Sequence, residues 1–152
     1  MTVPKKQLEA GVQASLDKAD AALQPGDVRR VVAEVEMASD VSYNLAATTA
    51  IAPLTVSFTA VAGTHVVNLH LFNSQTVAVG LRRLYFRVDG GAWVMFGWDG
   101  KYSGQGTNTV CSRLVVLGAG AAQIDVAIAV VAGTVNVLGS TEVPSRLFIE
   151  GP

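Results

Sequence analysis

Two hydrophobic periods run along the chain and meet at Pro25-Gly26. Before that point Leu8, Val12, Leu16, Ala19 and Leu23 recur at steps of four, four, three and four residues, the spacing of one face of an α-helix. Pro4 suits a first helical turn and Pro25-Gly26 stops the pattern, so a helix is predicted over residues 4–24. After Asp27 the period becomes two. Leu54, Val56, Phe58 and Ala60 alternate with other residues, as do Ile124, Val126, Ile128 and Val130, and alternation of this kind marks a strand with one buried face.

Further β-rich segments are Val31 to Met37, Val41 to Leu45, Val66 to Phe72, Leu84 to Val88, Trp93 to Trp98, Val110 to Val116, Thr134 to Leu138 and Arg146 to Ile149. Turn signals separate them at Ala62-Gly63-Thr64, Asn73-Ser74, Asp89-Gly90-Gly91, Asp99-Gly100, Gly118-Ala119-Gly120, Ala132-Gly133-Thr134 and Gly139-Ser140. The sharpest hairpin signal is Val88 to Trp93, because Asp-Gly accepts positive φ at consecutive positions. About ten short strands with regular turns and no second helical period predict an all-β, antiparallel jelly-roll sandwich. A chain of 152 residues normally makes one core. The expected division is therefore a helical attachment or trimerisation segment over 1–30 and a β jelly-roll head over 31–152.

The helical stripe is narrow, and its other face carries Lys5, Lys6, Glu9, Gln13, Asp17, Lys18 and Asp20. An isolated helix of about 20 residues with so thin a stripe is marginal without a partner. Either it packs on its own domain, or three copies form a short bundle or dock on a scaffold; in the second case Leu8, Val12, Leu16, Ala19 and Leu23 are the oligomerisation and attachment residues. The repeat lies nearer an eleven-residue period than a heptad, over too few turns to set a supercoil hand.

Composition points the same way. Half of the residues are apolar and 15% are charged, against a usual charged share of about 25%, and spare apolar surface is normally hidden against another subunit. The greasiest stretch, Leu114 to Val131, is interrupted by Gly118, Gly120, Gln123 and Asp125, so no membrane insertion is expected. A formal charge of −1 with eleven basic and twelve acidic residues provides no basic field for nucleic acid. Cys111 is the sole cysteine and excludes an intrachain disulfide. The opening Met-Thr-Val-Pro-Lys-Lys leads into a polar helix rather than a secretory core.

The search for chemistry finds little. His65 and His70 are five apart on a predicted strand, hence on opposite faces. His65, after a Gly-Thr turn, is expected at the surface or an interface, and His70 in the core or at an interface. Two histidines and one cysteine without usable spacing give no transition-metal site, the dispersed acids form no calcium loop, and no cofactor is expected. Cys111, between Val110 and Ser112, is expected to be a buried, inert thiol. Gly104 to Asn108 lacks the Lys-Ser/Thr ending and following helix of a phosphate loop. The long loop from Asp99 to Asn108 is the candidate ligand-binding loop, with Trp98, Lys101, Tyr102, Gln105 and Asn108 combining stacking faces and hydrogen-bonding groups. Trp93 and Trp98 differ by an odd number, which in a regular strand puts them on opposite faces, both apolar. Such a strand is either central between layers or covered by another subunit. Arg82, Arg83 and Arg87 are expected to be solvated strand-end residues or a receptor or capsid contact.

The segment Gln13 to Asp27, Gln-Ala-Ser-Leu-Asp-Lys-Ala-Asp-Ala-Ala-Leu-Gln-Pro-Gly-Asp, resembles a linker of tailed-phage fibre and tail-associated proteins. Pro53 to Val61, the Arg87 to Trp93 hairpin and Ile124 to Val131 resemble the trimeric jelly roll of the complement and tumour-necrosis-factor type, which also occurs on phage fibres. Pro144 to Glu150 is similar to the last, interface-facing strand of such heads. The resemblance implies a homotrimer with β heads about a threefold axis and N-termini gathered to meet phage capsid or tail proteins. The expected function is a non-enzymatic trimeric protein of the virion surface, assembled in the host cytoplasm, as a capsid decoration protein or head fibre. The sequence departs from the pattern of long tail fibres in being short and without a repeat-rich shaft, so a long tail fibre is not the leading expectation. The alternative is a receptor-binding tail or baseplate protein that recognises a bacterial surface glycan. A glycan depolymerase would require a convergent acid pair, which the sequence does not offer.

Overall fold

The computed structural model describes Val12, Ser15 and residues 29–44, 46–75, 80–101, 107–131, 133–139 and 144–152, with backbone alone at 75, 80, 81, 98–101 and 107. Ten strands follow in order: β1 (Arg30–Glu36), β2 (Val41–Tyr43), β3 (Thr49–Ala60), β4 (Gly63–Gln75), β5 (Gly80–Val88), β6 (Val94–Lys101), β7 (Thr107–Leu117), β8 (Gly120–Val130), β9 (Val135–Val137) and β10 (Arg146–Gly151). Every predicted strand is present; β4 and β7 run beyond both predicted ends, whereas β2 and β9 are shorter than predicted. Val12 and Ser15 have helical backbone; the rest of the predicted helix, with Leu8, Leu16, Ala19 and Leu23, lies outside the described residues. Among the described residues no helix is long and apolar enough to cross a membrane.

The strands form two antiparallel sheets. One is ordered β1-β10-β4-β9-β2 with β7 on the other edge of β4, and the second is ordered β3-β8-β5-β6. Alternation brings one face of each to a shared core: Val67, Leu69 and Leu71 of β4 with Leu147 and Ile149 of β10 on one side, and Ile124, Val126 and Ile128 of β8 with Leu84 and Phe86 of β5 on the other. Burying an aliphatic side chain of this size contributes roughly 1.5–3 kcal/mol, and the period-two pattern delivers several such residues per strand.

Two bulges adjust the sheets. In β3, Thr55 pairs with Asp125 and Ala50 with Ala127, so residues 51–54 stand opposite Val126 alone. Pro53, which has no N–H to give to a ladder, sits within that bulge. The bulge also lets Ile51 and Leu54, three apart, both reach the core. In β6 the register passes from Leu84↔Gly97 to Tyr85↔Met95, which leaves Phe96 as the extra residue; it turns inward onto Phe86, with ring centroids 5.2 Å apart.

The expected hairpin joins β5 to β6. Asp89 and Gly90 have φ of 49° and 69°, and the Gly91 N–H donates to the Val88 carbonyl at 2.9 Å, the arrangement of a turn that matches strand twist.

Candidate functional site: the two outer sheet faces

The outer face of the six-stranded sheet is laid out by its register. One row reads Val110, His70, Arg146, Glu36; the next Ser112, Asn68, Phe148, Glu34; the third Leu114, Val66, Glu150. Several of its polar groups pair with one another. Ser112 Oγ donates to Asn68 Oδ1 at 2.6 Å, and Asn68 Nδ2 donates to Glu150 Oε2 at 3.3 Å. Arg146 pairs with Glu34 at 3.4 Å and lies over the Phe148 ring, which meets His70 edge-on at 5.1 Å. Burial, then the Arg146 charge, lowers the His70 pKa, with Glu34 opposing. On β7, Val110, Leu114 and Val116 project outward and are 56%, 62% and 81% exposed.

The outer face of the four-stranded sheet is organised around a carboxylate. Asp125 interrupts the apolar run of β8 and is only 4% exposed. Its Oδ1 accepts from Thr55 Oγ1 at 3.1 Å and Gln123 Nε2 at 2.8 Å, and its Oδ2 accepts from Arg87 Nε at 2.7 Å. Burial alone would raise its pKa; the hydrogen bonds from Arg87, Gln123 and Thr55, with the Arg87 charge, outweigh burial and hold it below the usual carboxylate range. The Arg87 guanidinium in turn lies 4.4 Å from the Trp93 ring centroid. Gln123 is fixed by its backbone as well, because its N–H donates to Asp89 Oδ1 at 2.7 Å and its carbonyl accepts from the Asp89 N–H at 2.9 Å.

Several sequence expectations are corrected in the interior. His65 is on the opposite face from His70, as alternation requires, yet it is buried rather than at the surface, with its ring 6.0 Å from that of Phe58. His70 is half-buried on the outer face and not in the core. Arg82 is 0% exposed, not a solvated strand-end residue. It shares the inward register of Leu84 and Phe86, and its Nη2 reaches across to Thr109 Oγ1 of the other sheet at 3.3 Å. Arg83 is exposed, as expected. Cys111 faces inward but is half-buried, not fully enclosed.

The described residues include part of the candidate ligand loop. Tyr102 and Gln105 lie outside the described residues, and of Trp98 and Lys101 the backbone is described, at the end of β6. Asn108 is exposed near the start of β7, paired with Phe72. The loop thus connects the edge strand of one sheet to the edge strand of the other. The reading of Trp93 to Trp98 as a regular strand fails, because β6 begins at Val94 and is bulged at Phe96. Nor is β6 a central strand: among the described residues it pairs with β5 alone. Its Val94 and Met95 are exposed while Phe96 is buried. No group of three or more His, Cys, Asp or Glu among the described residues is arranged to hold a metal ion. The Asp125 cluster was missed; its signal was a lone acid in an apolar alternating strand, with Arg87 beside the predicted hairpin.

No protein-family model matches the chain, and no curated protein matches it. Among solved structures, an Eiger TNF from S. frugiperda aligns at a TM-score of 0.50 and 14% identity, over 82% of this chain and 94% of that one. A carbohydrate-binding module of Cellvibrio mixtus lichenase 5A, solved with cellotriose, aligns at 0.44 and 17% identity over 81% and 99% of the two chains. A chain of infectious bursal disease virus, Gt strain, aligns at 0.48 and 10% identity over 83% and 38%. Identities this low speak to architecture alone, and the architecture is an antiparallel jelly-roll sandwich like that of the Eiger TNF.

Proposed function

We propose that the chain is a non-enzymatic, homotrimeric structural protein of a tailed-phage virion surface, a capsid decoration protein or head fibre, attached through residues 1–30 with the jelly roll outward. The observation that carries the oligomer is β7. It is eleven residues long, pairs among the described residues with β4 alone, and exposes Val110, Leu114 and Val116 in one row. A long apolar edge strand left bare invites uncontrolled association, and the chain carries little charge to oppose it. Covering that strand and the adjacent outer face with further copies of the same chain resolves the conflict. The internally paired polar groups of the face, Ser112 with Asn68 and Arg146 with Glu34, suit burial against a neutral partner.

The virion location rests on the resemblance of Gln13 to Asp27 to the tailed-phage linker, and the non-enzymatic reading on the lack of a convergent acid pair in the sequence. The assembly is tested by light scattering on the purified protein, which is expected to give three chain masses; a clean monomer at micromolar concentration refutes it. The location is tested by gold-tagged antibody against residues 31–152 on intact virions of the source phage. Label over the heads is the expected result. Label confined to the tail tip would replace this reading with that of a receptor-binding tail or baseplate protein recognising a bacterial surface glycan, and unlabelled particles would refute both.

A further inference from the structure

We propose that the outer face of the four-stranded sheet carries a binding site for a neutral oligosaccharide, built by Arg87, Gln123 and Trp93 around the Asp125 carboxylate. This site is distinct from the Asp99 to Asn108 loop and from the apolar face of β7.

The argument begins with what Asp125 leaves over. It takes the Nε–H of Arg87 and the amide N–H of Gln123, which fixes both groups. The Arg87 fork keeps Nη1 and Nη2, which donate to no acceptor among the described residues, and its side chain is 31% exposed. The Gln123 amide, committed through nitrogen, turns Oε1 away as a fixed acceptor, and this residue is exposed. The cluster therefore presents oriented donors beside an oriented acceptor. A sugar hydroxyl is donor and acceptor at once and matches such a set, whereas an ionised carboxylate only accepts.

Charge separates the ligand classes further. Arg87 is already paired with Asp125, and Asp89 lies one hydrogen bond from Gln123, so an anion would meet two carboxylates beside one neutralised guanidinium. Trp93 and the exposed Met95 supply apolar contact next to the polar groups, the mixture that small-ligand sites use. The residues are held in place without ligand: Gln123 by the exchange with Asp89, Arg87 by Asp125 and the Trp93 ring. Little side-chain entropy then remains to be lost on binding.

The test uses Trp98→Phe protein, in which Trp93 is the sole tryptophan and the loop reading loses its main stacking residue. Trp93 emission is followed during titration with neutral trisaccharides of glucose, galactose, mannose and N-acetylglucosamine, and with trigalacturonate and inorganic phosphate as acidic probes. Saturable change with at least one neutral trisaccharide is expected, with roughly tenfold weaker binding by either acid. Arg87→Lys, which loses the fork but keeps the charge, and Gln123→Ala, a surface change, are each expected to weaken binding roughly tenfold while retaining the parent circular dichroism. No response to any neutral trisaccharide up to about 10 mM, equal binding of the acids, or full binding by a folded Gln123→Ala variant overturns the proposal.

Discussion

A Cβ placed on Gly97 would stand 2.8 Å from the Sγ of Cys111. The two residues belong to β6 and β7, the edge strands through which the two sheets meet, and the sandwich closes here with room for one side chain only. Gly97→Ala is expected to destabilise the fold by about 1–3 kcal/mol, the usual cost of overpacking a core. Cys111→Ala should relieve most of that cost in the double variant. A double-mutant cycle by urea denaturation measures the coupling, and strictly additive effects would contradict the contact.

Asp125→Asn removes the charged acceptor shared by Thr55, Gln123 and Arg87 and sets an amide N–H₂ among donors. A loss of about 1–3 kcal/mol is expected, read as a lower denaturant midpoint at neutral pH. An unchanged midpoint would show that the cluster contributes no net stability.

Two groups give the fold opposite stakes in protons from those of a salt-bridged histidine. His70 is held below its ordinary 6.5, so the unfolded chain takes up a proton first as the pH falls. Its contribution is present above about pH 6.5 and is lost toward the lower folded value. His70→Gln should flatten this part of the stability profile. Asp125, depressed below 3.8, contributes above that value and loses its contribution as the pH falls through its folded pKa. Denaturant midpoints collected from pH 7 down to about pH 3 should thus show two separate declines, the first absent in His70→Gln and the second in Asp125→Asn.

The proposed trimer is probed by Leu114→Asp and Val116→Asp, which place charge on the apolar row of β7 without entering the core. Each is expected to shift the mass by light scattering toward one chain while leaving the monomer folded. Leu16→Asp probes the N-terminal segment separately, and should weaken assembly or virion incorporation with the β7 face intact; unchanged assembly and incorporation would remove residues 1–30 from the interface.

The strand order along the chain was readable because alternating apolar positions and Gly-containing turns repeat the same message. The residues around Asp89-Gly90 show this best, since turn chemistry and flanking alternation agree. What alternation could not deliver were the bulges. The extra residue at Phe96 breaks the odd-even argument that separated Trp93 from Trp98, and the bulge around Pro53 hides the first five residues of β3 by letting Ile51 and Leu54 bury at an uneven spacing. His65 and Arg82 were misjudged for another reason. Their residue types outweighed their positions, although each stands two residues before a core residue, Val67 and Leu84. The Asp125 cluster draws on β3, β5 and β8 and on the lead-in to β6, so its assembly depends on pairings between segments far apart in sequence.

The position of β10 between β1 and β4 also governs how the protein comes into being. β1 pairs among the described strands with β10 alone, so a nascent chain carries its first strand unpartnered until Arg146–Gly151 has left the ribosome. Until then, β1 and one edge of β4 are open to strands of other chains. Pairing across such a separation closes slowly, and newly made copies are exposed to mispairing through those edges until β10 has docked.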